Sequence, residues 1–313
     1  EGVWECPDLF ERKVNGSEEA KWVHLVSINP GGPNGGSATQ YFVGDFDGIN
    51  FTLDPNFKTE MEKAHHFWTD FGKDNYAGVT FSNWKDQKGN PLFLGWMSNW
   101  QYATKVPTFK WRSSMTLART LELFKTVNGF RLKSSLFMDS EKVTKKKVKI
   151  KETTIGEGKM IVDEKGIKLT SAKIKIDLKN IEENTYTFVL ANQAGDSLLF
   201  GYDHRQKQFF IDRSNSGAVD FSEDFSDKPS LAPRFGMNDE LLLEFLLDKT
   251  SIELFYDEGE TAMTEIFFPH KPFETLSLLA NESTKTVFSG ELVELDVKRQ
   301  SRVSFFQNQA KNT

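Results

Sequence analysis

Short segments that alternate apolar and polar residues, or run apolar for several positions, fill most of the chain. In its first part the pattern predicts strands at 22–28, 40–45, 76–82, 91–97 and 113–123. Turn sequences such as Asn29-Pro30-Gly31-Gly32 and Lys88-Gly89-Asn90-Pro91 break them. No segment carries an apolar stripe of helical period. The strands group in units of roughly 40 residues, which suits propeller blades better than one sandwich. Around 127–145 the chain turns polar and aperiodic, so residues 1–135, a linker at 136–146 and residues 147–313 are expected as separate parts. Beyond the linker, alternating strands are predicted at 148–154, 167–178, 186–193, 197–202, 208–212, 240–247, 251–256, 264–268 and 292–297. Turns about every ten residues between such strands are a sandwich signature. The fold class is all-β.

Composition adds bounds. The 313 residues exceed what one core usually accommodates, which agrees with two domains. Aromatic content is high at 13%, with 28 Phe and 7 Trp, and aromatics serve both strands and sugar platforms. A net charge of -6 and a pI near 5.6 argue against a nucleic-acid partner. The lysine run between Lys142 and Lys151 alternates with Val148 and Ile150, as a strand with one solvated face does. Cys6 is the only cysteine, which excludes an internal disulfide and a cysteine-rich zinc site. No apolar run approaches the roughly 18 residues of a membrane helix. Sequons at Asn15, Asn50 and Asn281 occur at a rate chance supplies. His65-His66 would point to opposite faces of a strand and has no partner at ligand spacing, so neither metal nor cofactor is expected.

Three clusters could carry chemistry. Glu5 stands between Trp4 and Cys6-Pro7, an apolar sequence neighbourhood. Desolvation raises a carboxyl pKa, as a general acid requires, although an isolated Glu in such a context is more often structural. The run Trp68-Thr69-Asp70-Phe71-Gly72-Lys73-Asp74-Asn75-Tyr76-Ala77 mixes acids with rings. It reads equally as a grip on sugar hydroxyls or as an ordinary acidic loop. Gly95-Trp96-Met97-Ser98-Asn99-Trp100-Gln101-Tyr102, followed by Trp111-Arg112-Ser113, holds more rings and amides than a core strand needs. An aromatic, amide-rich wall suits a pyranose or furanose.

Taken together, these motifs resemble glycoside hydrolase family 32. Trp4-Glu5-Cys6-Pro7-Asp8 is similar to its Glu-Cys-Pro motif, and the acidic loop ending in Tyr76-Ala77 to its Asp-x-Gly-x-Asp-x-Tyr-Ala element. Ser98-Asn99-Trp100-Gln101-Tyr102, Val106-Pro107-Thr108 and Trp111-Arg112-Ser113-Ser114-Met115 resemble a stretch of yeast invertases, exo-inulinases and levanases. Asp212-Arg213-Ser214-Asn215-Ser216-Gly217 and Ile252-Glu253-Leu254-Phe255 look like markers of the family's second domain. The resemblance implies a five-bladed β-propeller followed by a β-sandwich, hydrolysing β-fructofuranosides with retention. It implies Glu5 as acid/base, Asp70, Asp74, Asn99 and Trp100 as substrate-binding residues, and Cys6 as a residue that tunes Glu5.

The chain also departs from the family. Its nucleophile is an aspartate in an Asn-Asp-Pro motif and its stabilising aspartate stands in Arg-Asp-Pro, and neither motif occurs here. With no initiator Met and an opening inside a motif, the chain is expected to be truncated or processed, holding only the later blades, and inactive alone. Its expected partners are then a fructose-containing oligo- or polysaccharide and either the missing propeller segment or another copy of itself, since open sheet faces are a liability. A non-catalytic fructan-binding protein is the alternative, and a purely structural module a third. Family members that act on polymers are secreted, so an extracellular or periplasmic setting is expected.

Overall fold

The alternation along the first 136 residues builds two antiparallel sheets. In this computed structural model all residues are described except 1, 65–66, 128, 139, 163–165, 237 and 297–313, so the His65-His66 pair lies outside the described residues. The first sheet is a meander of β1 (Val3–Lys13), β2 (Ala20–Asn29), β3 (Ala38–Phe46) and β4 (Phe51–Leu53). A helix, α1 (Pro55–Lys63), follows it. The second sheet orders β5 (Tyr76–Lys85), β6 (Pro91–Met97), β8 (Arg119–Thr126) and β9 (Gly129–Leu136), with the short β7 (Ser114–Met115) on β6. The two sheets share a core of Val23, Leu25, Tyr41, Phe93, Leu121 and Leu132, with Phe57 of α1 inserted.

The remaining strands form two six-stranded sheets. They are β10 (Thr144–Thr154), β11 (Gly158–Ile161), β12 (Ser171–Lys179), β13 (Thr185–Ala191), β14 (Ser197–Asp203), β15 (Gln208–Asn215), β16 (Ser230–Pro233), β17 (Glu240–Asp248), β18 (Ser251–Tyr256), β19 (Thr261–Ile266), β20 (Thr275–Ala280) and β21 (Val287–Leu295). One sheet runs β10-β21-β12-β17-β18-β19 and the other β11-β20-β13-β14-β15-β16. Their facing side chains fill one core, in which Phe200 meets Phe245 at 5.1 Å and Phe209 stacks on Tyr256 at 3.8 Å. The lysines of β10 stand in solvent while Val148 and Ile150 pack against that core, as the alternation predicts. All four sheets are open, and none closes on itself among the described residues.

The strands β1, β4, β11, β16 and β20 were not predicted, and three further elements correct the sequence reading. The helix was not expected, because only Phe57 is buried and no stripe develops. Its start signal was nevertheless present: Asp54 caps it, accepting from the Asn56 and Phe57 amides, and Pro55 opens it. The strand expected at 113–123 is broken between Met115 and Arg119, where Thr116 leaves the strand register to exchange hydrogen bonds with Gly95. β9 lies in the stretch read as aperiodic, because Arg131 and Ser134 are buried in it alongside Phe130 and Leu132. The Arg131 guanidinium lies over the rings of Phe67 and Phe235 at 4.3 and 4.5 Å, which lets a cation pass for a core residue.

The two halves of the molecule meet along residues 70–75, which run beside β19. The Phe71 amide donates to Ala262 O, the Asp74 amide to Thr264 O, and the Thr264 amide back to Asp70 Oδ1. A Cβ on Gly72 would lie 2.1 Å from Thr264 O and 2.3 Å from its N, so only glycine allows this approach. Gly72→Ala is therefore expected to destabilise the protein by about 1–3 kcal/mol, read as a lower urea midpoint. An unchanged midpoint would mean that the seam has slack the packing does not suggest.

Candidate functional site

Two β-bulges build the site. On β1, Glu5 pairs with Ser27, but the next register pair is Asp8 with Leu25, so three steps on β1 answer two on β2. Cys6 takes φ 49°, in the left-handed region uncommon for a residue with a side chain. Pro7 has no N–H to lose from the ladder there. β5 repeats the device: Tyr76 pairs with Trp96, Val79 with Leu94, and Ala77 between them takes φ 52°. Bulges re-aim neighbouring side chains, and here they bring two residues of different sheets together. The Tyr76 hydroxyl donates to Glu5 Oε2. Burial, and then its bond to Glu5 and that carboxylate's charge, hold the Tyr76 phenol well above its ordinary pKa, so it stays a donor.

Rings continue from this pair toward solvent. Tyr76 meets Trp96 edge-on at 6.3 Å, and Trp96 meets Trp100 at 5.1 Å. The Trp96 indole donates to Ser113 Oγ at 2.6 Å, and Trp100 is 51% exposed. Glu5 itself is exposed. The apolar neighbourhood expected from Trp4 is not what surrounds it. Adjacent strand residues face opposite ways, and Trp4 packs on Phe42 at 5.5 Å while remaining 58% exposed. Cys6 is a half-buried free thiol at the bulge.

The other predicted site residues lie inside the protein. Asn99 is fully buried; its Oδ1 accepts from the Ser37 and Gln101 amides, and its Nδ2 donates to Lys73 O and Gly35 O. It anchors the loop that presents Trp100, whose amide donates to Ser37 Oγ. Asp70 is buried too, bound by Arg119 at 2.7 Å, Thr264 Oγ1 at 2.6 Å and the Gly72 and Thr264 amides. Asp74, with no exposed surface, accepts from Tyr102, Arg213 and the Ile266 amide. Both acids, expected against a sugar, thus spend their oxygens on the seam between the halves. Arg119 also bonds Glu253, and Arg213 lies 2.6 Å from Glu265. Burial pushes Glu253 and Glu265 above the usual carboxylate range, against the pull of their arginines.

Tyr76 and Trp96 line the candidate site; the sequence places them only within a ring-bearing acidic cluster and an aromatic wall, without individual roles. Their signal was present only as ring content beside acids; the bulges that aim them leave no mark in residue type. What the geometry offers is one exposed carboxyl with a fixed hydrogen-bond donor, at one end of an aromatic wall. Asp8, the next acid on β1, is taken up by Thr80. Clefts of about 830 and 1020 Å³ lie elsewhere, the first lined by Lys133, Lys175 and Glu244, the second by Trp4, Phe42 and Trp68. Neither is lined by Glu5, Tyr76 or Trp100.

Comparison with known proteins gives a consistent picture. Residues 1–134 match the family profile described as the glycosyl hydrolases family 32 N-terminal domain, and residues 134–298 match that family's C-terminal profile. A levanase of Bacillus subtilis is 36% identical over 284 residues, covering 89% of this chain and 41% of the levanase. An extracellular exo-inulinase of Aspergillus awamori is 34% identical, covering 86% of this chain and 50% of that protein. The crystal structure of exo-inulinase from Aspergillus awamori superposes with a TM-score of 0.80 at 28% identity, over 94% of this chain and 57% of that one. The chain spans about half the length of the curated relatives it matches.

Proposed function

This chain belongs to glycosyl hydrolases family 32, and from that premise we propose that it carries the acid/base half of a retaining β-fructofuranosidase site. The observation that supports this most is the Glu5–Tyr76 hydrogen bond at the head of the Trp96–Trp100 wall. Glu5 protonates the oxygen that leaves a terminal fructosyl unit, then takes a proton from the water that releases fructose. Tyr76 holds the carboxyl on one oxygen and leaves the other toward substrate. Trp100 and Trp96 stack against the sugar, and Cys6 shapes the turn that aims Glu5.

Retention requires a second carboxyl roughly 5–5.5 Å from the first. We assign it to a segment outside these 313 residues, because the Asn-Asp-Pro and Arg-Asp-Pro motifs do not occur in them. In the same reading the two smaller sheets are later blades of a five-bladed propeller, the two larger ones a β-sandwich, and 136–146 the link between them. Asp70, Asp74 and Asn99 support the site from inside instead of touching sugar. The substrate is a fructan or sucrose, as the names of the levanase and exo-inulinase relatives suggest. The extracellular relatives favour an extracellular or periplasmic setting, and among the described residues no helix is long and apolar enough to cross a membrane.

Fructose release from sucrose, inulin and levan tests this, with the chain alone and with a segment supplying the two missing motifs. No release from the chain alone, and release on completion, is the expected result. Fructose from the chain alone would overturn the half-site. Fructan bound but never cleaved, even on completion, would favour a carbohydrate-binding role.

A further inference from the structure

The geometry points to Asp8 as a positioning residue that fixes Glu5 against Tyr76, a role that rests on the reading of Glu5 as acid/base. β1 and β5 belong to different sheets, and among the described residues no backbone ladder joins them. The side-chain hydrogen bonds between them are few: Tyr76 to Glu5, and a double bond pair in which Asp8 Oδ2 accepts from the Thr80 amide at 2.6 Å and from Thr80 Oγ1 at 2.7 Å. The second contact is charge-assisted and takes up both donors of Thr80, so it is the stronger clasp.

Its place matters as much as its strength. Asp8 is the first paired residue after the bulge that follows Glu5, and Thr80 comes just beyond the bulge that follows Tyr76. Each bulge is the point at which a strand departs from its ladder and can shift relative to its neighbour. Glu5 and Tyr76 lie on one side of this irregular pair of turns, and the Asp8–Thr80 clasp closes the other. Thr39 Oγ1, accepting from the Gly78 amide, and Arg12, bonding Asn90 and Lys88 O, also tie the first sheet to the β5–β6 hairpin. Without the clasp, however, the Tyr76 bond is among the described residues the one side-chain bond left between β1 and β5 beside Glu5. A carboxyl that must reach a leaving oxygen tolerates little drift, since a misplacement of about 1 Å costs up to about 100-fold in rate.

The test uses active, completed enzyme with sucrose. Asp8→Ala is expected to lower kcat by about 10- to 100-fold while KM changes less than about threefold. Thr80→Val, which loses the hydroxyl but keeps the amide, is expected to fall between Asp8→Ala and the parent, and Thr80→Ser to keep the parent kcat. In a Glu5→Gln background, Asp8→Ala is expected to cost nothing further, because it acts through Glu5. If Asp8→Ala does not fold, the Thr80→Val and Thr80→Ser pair decides alone. Parent kcat in Asp8→Ala or in Thr80→Val, or a full further loss in the Glu5→Gln background, would overturn the inference. A Glu5→Gln enzyme with parent kcat would instead remove the acid/base reading, and the inference with it.

Discussion

Arg213→Met is expected to destabilise the protein by about 3–5 kcal/mol, the cost of removing one partner from a buried ion pair. The guanidinium is fully enclosed. It reaches Asp74 at 2.7 Å and Glu265 at 2.6 Å, donates to Tyr102, Phe225 O and Ile266 O, and lies 3.8 Å over the Phe225 ring. Burial alone would lower its pKa, but Glu265, Tyr102 and Asp74 hold it above the ordinary value. Methionine can fill much of the volume and none of these bonds. Asp74 and Glu265 would then stay buried at the seam without that cation.

The pH dependence of the loss identifies its cause. Deprived of Arg213, Glu265 loses the cation that offsets its burial, so its folded pKa, already raised, stands further above its unfolded one and the native state binds more protons than the unfolded state. The penalty is then absent below the unfolded carboxyl range near about 4 and grows as pH rises through the folded value. Urea unfolding near pH 5 and near pH 8 reads this directly. A deficit that widens toward pH 8 is expected. A deficit equal at both would mean that lost packing dominates, and no deficit would mean that the seam does not depend on its charges.

How far the chain could be read in advance depended on the range of the interaction. Pro91–Met97, whose burial alternates without a break, and Ser251–Tyr256, a short run buried at nearly every position, were legible to the residue. β9 was not, because a buried arginine looks solvated in sequence. The acids of the 68–77 segment were legible as important but not as interior. Asp70 finds Arg119 49 residues away, and Asp74 finds Arg213 139 residues away. No local pattern encodes partners at such separations, so burial of a charge cannot be read from its neighbours. Glu5 was singled out by its motif, whereas its hydrogen-bond partner, Tyr76, is 71 residues off and aimed by a bulge. Trp4, adjacent in sequence, faces Phe42 instead.

Glu5→Gln in completed enzyme is expected to lower kcat on sucrose by about 10²- to 10⁴-fold, the usual worth of a general acid/base. The amide keeps the size of the side chain and can still accept from Tyr76, so little besides proton transfer is lost. The two chemical steps should suffer differently with leaving group. An aryl β-fructofuranoside needs no protonation to depart, so its fructosyl-enzyme still forms, and only the water step stalls for want of a base.

Azide makes that distinction visible, because it attacks the fructosyl-enzyme without giving up a proton. The most direct measurement is the product formed by Glu5→Gln enzyme from an aryl β-fructofuranoside in the presence of azide. If Glu5 is the acid/base, azide accelerates turnover and the product is the β-fructofuranosyl azide, after two displacements with net retention. An α-azide, or no acceleration by azide, would contradict that role.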